Sequence, residues 1–471
     1  MRKSLSLILL TACAMSAGAA TVKATVDEPV EFVCTVFRLA GIPGYVDNDA
    51  NSYVKDVDRT FVKIKHPIFS FIRQMGSEHQ VGFDAVANYA IMLDINKGKV
   101  GFKPNADVNE LPKVDERWTV ANARRLTTLL NDFYRKSNYH KFFLAHQRYY
   151  RDSVLVHFNA DVVGKVDWSW FAKFFGNKNV QAPHIVGAAL IRGNYGVHYT
   201  DRFTGRVVAI PMIGPSGRNN DGSLILGQGT GILVHEYGHT FSNPAVEHYR
   251  KQLEPIGKVF GTPVLDKLRE QAYTNDISCM YETMNRACNL QYDYEHAANA
   301  TDSIMAKVDL TRQKCNGFLL IEDAYNALSY YKAHRDIYPT YDSFMPVVVE
   351  RFSHLSVDSV LNDCNSRRGI MTIEGIADGD SAVAPGEHVV TLHFSEGHKY
   401  GFGFTYGRKG NESVFPEITS QKWDNEAGNI VMTFNLKPET SYSFGIPGTF
   451  FMNGDGYPMR NDIYLDFKTT K

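Results

Sequence analysis

Val234-His235-Glu236-Tyr237-Gly238-His239-Thr240-Phe241 sets two histidines four residues apart, with a glutamate directly after the first. On a helix, residues four apart lie one turn apart on the same face, so His235 and His239 can offer imidazole nitrogens to one ion. Glu236 then sits where a carboxylate reaches a water held by that ion, the arrangement of a zinc hydrolase helix. The preceding residues suit a helix start. Leu224-Ile225-Leu226-Gly227-Gln228-Gly229-Thr230 carries glycines and a candidate N-cap, Thr230, while Ile232, Leu233 and Tyr237 supply apolar positions. Downstream, Ser242-Asn243-Pro244 predicts a break or a re-start, because proline disfavours helical backbone in the residue before it. The bland alternative is a structural histidine pair. A one-turn pair on a short, largely apolar helix is hard to explain as ordinary core, and a metal site is the better reading.

Catalytic zinc usually takes three protein ligands and one water, so a third side chain is needed. The metzincin pattern would place a histidine six residues after His239, but Ala245 stands there, which disfavours that class. Glu247 and His248 are close in sequence, with their direction left open by the expected break. Glu282 is the better candidate, on the helical stretch Met280 to Ala287, with Arg286 one turn on to orient its carboxylate. The competing explanation of Glu282 and Arg286 is a plain surface pair, which is common and contributes little. An oxyanion donor is also needed. Tyr281, Tyr292, Tyr294 and His296 are near in sequence, and nothing in the sequence selects among them. His140, His146, His157, His184 and His198 show no ligand spacing and read as ordinary core or surface histidines.

The 471 residues are 44% hydrophobic, ample for one large core and a second module. Fifty basic and 51 acidic residues give a net charge of −1 with no basic block, which argues against a nucleic-acid partner. Residues 1–20 read as an export signal: Arg2 and Lys3, an apolar run from Leu5 to Leu10, then Ala17-Gly18-Ala19-Ala20. A periplasmic or secreted protein is expected. Leu10-Thr11-Ala12-Cys13 offers an alternative, an outer-membrane lipoprotein anchored through a lipidated Cys13. The remaining cysteines, Cys34, Cys279, Cys288, Cys315 and Cys364, form no CxxC pair and are not expected to ligate zinc or define a disulfide scaffold. Cys279 and Cys288 should share a helix, about 13 Å apart along its axis and on opposite faces, too far to bridge.

Along the chain, Val30 to Phe37 reads as a strand, followed by helical patterns at Asp56–Met75, Phe83–Leu93 and residues 115–150. Trp168-Ser169-Trp170-Phe171, with Phe174 and Phe175, reads as a buried helix face rather than a ligand platform. Ile185 to Ile191 and Arg206 to Pro211 read as strands flanking a turn at Gly193-Asn194-Tyr195-Gly196. From Gly231 to about Leu361 the pattern is helical again. Helices, a small sheet, then more helices predict an α+β domain over residues 21–365, whose edge strand can take an extended peptide by strand addition. A second domain, 366–471, shows candidate strands at Val389–Phe394, Gly401–Tyr406, Ile430–Leu436, Tyr442–Ile446 and Tyr464–Phe467, as in a β-sandwich. Three phrases there resemble bacterial Ig-like domains: Pro385-Gly386, Thr391-Leu392-His393-Phe394-Ser395 and Leu436 to Tyr442. The closing Gly454-Asp455-Gly456-Tyr457-Pro458 and Tyr464 to Thr469 add to that likeness.

Over Val30 to Leu361 the chain also resembles a family of secreted bacterial HExxH proteins of unknown function with predicted metallopeptidase activity. The likeness rests on Tyr53 to His66, the zinc motif running into Asn243-Pro244, Glu282 with Arg286-Ala287, and Tyr338-Pro339-Thr340-Tyr341. It implies a zincin-like fold of the gluzincin type, with His235, His239 and Glu282 holding Zn2+ and Glu236 as general base in peptide hydrolysis. The spacing from His239 to Glu282 is longer than in thermolysin, and the likeness supplies no substrate beyond a peptide or protein. Two rival readings are a surface binding protein with a structural HExxH helix and a zinc amidase acting on cell-wall material.

Overall fold

The run Val30 to Phe37, expected as a strand, is the middle of helix α1 (Glu28–Ala40) in the computed structural model of the protein. The structure describes residues 22–46, 51–227, 229–271, 273, 276–410, 413–424 and 428–471, so the expected export signal and Cys13 lie outside the described residues. Pro29 sits in the first turn of α1, Glu28 and Glu31 place negative charge there, and Gly41 closes it in the left-handed region at φ 82°. Every residue from Val30 to Phe37 is buried. Without a polar face the run shows no helical period, and a buried helix then reads like a buried strand.

The chain is α+β and divides into two compact units. The first comprises the chain up to Val166 together with Gln181–Thr230; the second comprises Asp167–Val180 and Gly231–Lys471. This division cuts across the expected domain 21–365 and joins its helical C-terminal half to residues 366–471.

In the first unit, α1 is followed by α2 (Ser52–Phe61), α3 (Pro67–His79), α4 (Phe83–Ala90), α5 (Leu111–Val114), α6 (Val120–Ser137), α7 (Tyr139–Ala145) and α8 (Gln147–Tyr149). Its strands are β1 (Ala24–Thr25), β2 (Leu93–Asn96), β3 (Lys99–Phe102), β4 (Ile185–Gly187), β5 (Asn194–Thr200), β6 (Val207–Ile213), β7 (Pro215–Arg218) and β8 (Leu224–Leu226). The main sheet runs β1-β4-β6-β5, with β1, β4 and β6 parallel and β5 antiparallel at the edge. The expected turn at Gly193–Gly196 is corrected: from Asn194 the chain already pairs with Ile213, and only Gly193, at φ 112°, belongs to the bend. Turn-forming residue types misled there because cross-strand pairing overrides their local preference.

The second unit begins with α9 (Trp168–Phe175) and continues from Gly231 with α10 (Gly231–His248), α11 (Arg250–Gly261), α12 (Leu265–Glu270) and α13 (Asp276–Glu295). It then runs through α14 (Ala300–Cys315), α15 (Ile321–Ala333), α16 (Tyr341–Ser353) and α17 (Val357–Ser366). The aromatic face of α9 is buried: Phe171 lies 4.6 Å from Tyr237 and 5.8 Å from Phe241 between ring centroids. The expected break at Asn243-Pro244 does not occur, since α10 passes through Pro244 to His248. An interior proline costs about 3 kcal/mol. Burial of Phe241, Ala245 and Val246 on either side opposes that cost and keeps the helix continuous.

Strands β9 (Met371–Glu374), β10 (Gly386–Phe394), β11 (Thr405–Tyr406), β12 (Glu417–Asp424), β13 (Asn429–Leu436), β14 (Ser441–Ile446) and β15 (Ile463–Lys468) form two antiparallel sheets, β12-β13-β10-β9 and β11-β14-β15. Inward side chains alternate along the strands and share one cluster, with Val390, Leu392, Ile430, Met432 and Phe434 from the first sheet and Phe444, Ile446 and Leu465 from the second. Two strands, β9 and β12, escape the sequence pattern. β12 shows why: none of its residues is buried, so it has no apolar alternation.

Cys315 and Cys364 form a disulfide that joins α14 to α17, a bridge the cysteine spacing did not announce, while Cys34, Cys279 and Cys288 keep free thiols. Beyond α17, Arg368 donates to the Pro458 and Met459 carbonyls, and Asn453 donates to the Arg367 carbonyl. These bonds fasten the sheets to the helices of the same unit. Among the described residues no helix is long and apolar enough to cross a membrane.

Glu31 on α1 is 1% exposed. Its carboxylate accepts from the Tyr53 hydroxyl at 2.8 Å and from the Ala189 N–H at 3.2 Å. Burial outweighs both bonds and raises its pKa from 4.5 to about 7. An acid shifted upward on folding keeps its full contribution below its unfolded pKa and loses it as pH rises through the folded value, here a loss of about 3 kcal/mol. Urea titrations should therefore show wild-type stability falling between about pH 4.5 and 7, and level above that, relative to Glu31→Gln. Parallel profiles for the two proteins would contradict the buried acid.

Candidate metal centre

Helices α10 and α13 can approach because residue 238 is glycine. A Cβ at Gly238 would stand 2.5 Å from the Asn285 amide oxygen of α13. One turn apart on α10, His235 and His239 bring their Nε2 atoms to 3.1 Å, with the ring planes 85° apart. From α13, the Glu282 carboxylate meets both: Oε2 lies 3.5 Å from His235 Nε2 and Oε1 lies 3.3 Å from His239 Nε2. Three ligands about 2.0–2.1 Å from one tetrahedral ion would stand roughly 3.3–3.4 Å from one another. The spacing of these three side chains fits that requirement. Among the described residues, no other three such side chains come together in this way. The three keep 17%, 13% and 11% of their side-chain exposure, which leaves room for a further ligand from solvent.

The surroundings orient each group. Arg286, one turn after Glu282, donates from Nε to Glu282 Oε2 at 3.0 Å and from its terminal nitrogen to the Tyr273 hydroxyl at 3.1 Å. Its guanidinium also covers the Phe318 ring at 4.4 Å. His239 Nδ1 is 3.0 Å from Asn243 Oδ1. At His235 Nδ1, the amide nitrogens of Asn285 and Asn289 stand at 3.3 Å and 2.9 Å. Burial opposes the charge on Glu282, but the two imidazoles and Arg286 more than offset it and hold its carboxyl far below the usual range. Burial also lowers the pKa of His235, reinforced by His239 and Arg286. For His239 burial pulls the same way, but the Glu282 and Glu236 carboxylates and Asn243 outweigh it and raise the pKa of this ring. Glu236 is itself buried, and its carboxylate is one of the charges that raise the pKa of His239.

The open alternatives resolve. Glu247 accepts from Arg250 and from the Tyr281 hydroxyl, and His248 faces Asp342 at 3.0 Å, so neither joins the triad. Tyr281 is taken up by Glu247. The Tyr292 hydroxyl accepts from the Asp167 N–H, His296 faces Asp167, and Tyr294 is exposed. His140, His146, His157 and His184 pair with Glu28, Asp56, Asp221 and Asp27. The sequence reading missed Asn243, Asn285, Asn289 and Tyr273. A signal for two of them existed: Asn285 and Asn289 fall three and seven residues after Glu282, on its helix face.

Gly238→Ala tests the helix crossing. A methyl group 2.5 Å from the Asn285 oxygen is expected to cost about 1–3 kcal/mol and to loosen the triad. Thermal unfolding and metal titration should both show a loss, and an unchanged melting temperature with unchanged affinity would refute the close contact.

Comparison with known proteins adds one family. Residues 35–351 match a domain of unknown function, DUF4932. No curated protein matches. Two solved structures of the S-layer protein SbsC, the crystal structure of rSbsC(31-844) and that of domains 1-6, align with 51% and 50% of this chain at 11% identity. Those alignments span 34% and 33% of the SbsC chains, about a third of their length, with a TM-score of 0.16 in each, and carry no argument about fold or function. Because the DUF4932 match spans about two thirds of the sequence, the chain belongs to that family.

Proposed function

We propose that this protein is an exported zinc-dependent metallopeptidase in which His235, His239 and Glu282 hold Zn2+ and Glu236 acts as general base. The observation that carries the reading is the triad itself: two imidazole nitrogens and one carboxylate within 3.1–3.5 Å of one another, presented by two crossing helices. A set of two nitrogens and one oxygen with room for a fourth ligand suits catalytic zinc. When bound, the ion supplies Lewis acidity toward a carbonyl oxygen and lowers the pKa of water toward neutrality. The chain's own residues do the rest. The Glu236 carboxylate takes a proton from the attacking water and returns it to the nitrogen of the leaving amine. Arg286 holds Glu282 in register, with Tyr273 and Phe318 fixing the guanidinium in turn.

Residues 371–468 are read as an Ig-like sandwich that spaces or docks the peptidase, supported by two antiparallel sheets on one shared core. Export is supported by the Cys315–Cys364 disulfide, since such bridges persist in oxidising compartments.

Metal analysis and peptidase assays on the full chain test the reading together. Wild type is expected to bind one Zn2+ and cleave an unfolded protein substrate. Glu236→Gln should keep the ion and lose activity by roughly 10²–10⁴-fold, whereas His239→Ala and Glu282→Ala should lose the ion. Full activity in Glu236→Gln, or stoichiometric zinc in Glu282→Ala, would sink the assignment. Hydrolysis of cell-wall amides with no cleavage of peptides would redirect it to an amidase.

A further inference from the structure

We infer that Asn289 is a positioning residue that fixes His235 as a metal ligand, its carboxamide oxygen accepting a hydrogen bond from His235 Nδ1–H. The inference rests on the metal reading of the triad. Two carboxamides of α13 reach the Nδ1 edge of His235. Asn285 is fixed at both ends: its Nδ2 donates to the His235 backbone carbonyl at 3.0 Å, and its Oδ1 accepts from the Ser242 hydroxyl at 3.2 Å. That orientation leaves Asn285 no acceptor to offer the ring. Asn289 is not held in this way, because its Oδ1 is buried without a hydrogen-bond partner while its Nδ2 stands 2.9 Å from His235 Nδ1.

The chemistry of the ring chooses between the two orientations of that amide. Carboxamide oxygen and nitrogen are nearly equal in size, so a half-turn about the last side-chain bond exchanges them without disturbing the packing. An imidazole that ligates through Nε2 carries its proton on Nδ1 and needs an acceptor there. An amide nitrogen opposite Nδ1–H would set donor against donor in a buried site, a costly arrangement. With the amide turned, Oδ1 takes the place 2.9 Å from Nδ1 and accepts that proton. His239 shows the same solution, its Nδ1 standing 3.0 Å from Asn243 Oδ1. Each histidine thus has one asparagine oxygen behind it, Asn243 from its own helix and Asn289 from the partner helix, and both Nε2 atoms face the Glu282 carboxylate.

Two variants and two readouts test this on the full chain. Zn2+ affinity is measured by competition with a chromophoric chelator. The His235 tautomer is read from 15N-histidine spectra of the metal-free protein, assigned with His235→Gln. Asn289→Ala is expected to weaken Zn2+ binding about 10–100-fold and to shift the His235 proton away from Nδ1. Asn289→Asp, which keeps an acceptor oxygen, should retain the Nδ1–H tautomer and bind at least as tightly as wild type, and it carries the test should the alanine variant fold poorly. Wild-type affinity in Asn289→Ala, or an Asn289→Asp as weak as a folded Asn289→Ala, would overturn the inference while leaving the metal site standing. A wild type that binds no Zn2+ would reject the metal reading instead. The spectrum of the metal-free wild type would then decide the hydrogen bond alone, a proton on Nδ1 upholding the Asn289 contact and a proton on Nε2 overturning it, while the role of His235 as a ligand would fall with the metal reading.

Discussion

The buried carboxylate of Glu282, faced by two imidazoles and a guanidinium, is the interaction on which the rest of the second unit depends. A lone ionised carboxylate at that depth would cost several kcal/mol. It is tolerated because three partners face it: His235 and His239 from α10, and Arg286 from its own helix. That convergence demands close helices, and close helices demand Gly238. It also demands an unbroken α10, because Asn243 can support His239 from four residues away only if the helix continues toward Pro244. The opposite face of α10 is held by apolar contact, with Tyr237 and Phe241 packed on the rings of Trp168, Phe171 and Phe175. One helix thus carries a polar face at the triad and an aromatic face against α9, and neither can shift without the other.

The same arrangement sets three groups that could hold a metal ion against one another. Burial pushes the His235 pKa down, the neighbouring carboxylates push the His239 pKa up, and the two imidazoles with Arg286 hold the Glu282 carboxyl well below the usual range. A divalent ion held by the three side chains would supply a centred positive charge opposite that carboxylate. Arg286 limits the gain because its charge also faces Glu282. Its bond to the Tyr273 hydroxyl and its packing on Phe318 hold it at Oε2, the carboxylate oxygen that also faces His235.

What the sequence made legible follows from the range over which each feature is encoded. His235, Glu236 and His239 are local, set by helical period alone, and were readable directly. Glu282 was readable as a candidate because Arg286 sits one turn on, but only the crossing of α10 and α13 brings it to the histidines. Pro244 was misread because local backbone preference suggests a break, while burial of Ala245 and Val246 decides otherwise. The stretch Val30–Phe37 was misread for the opposite reason, since complete burial erased the period that would have shown a helix. β12 was invisible because it buries nothing, and the Cys315–Cys364 pairing because linear spacing does not encode which thiols meet. The two asparagines behind His235 were missed for a subtler reason. An asparagine inside a helix reads as neutral filler, and its value here comes from hydrogen bonds to a residue of another element.

The face of α13 made by Glu282, Asn285, Arg286 and Asn289 shows how the two helices divide the work. α10 supplies two ligands, but its own support reaches only His239, through Asn243. The Nδ1 edge of His235 faces Asn285 and Asn289 of α13. The partner helix therefore carries both the third ligand and the support for the first, three to seven residues further along the same face. A lateral slip of α13 by one residue would rotate that face by about 100° and remove ligand and support together. Register between two helices, rather than the HExxH motif alone, is what makes the triad a site.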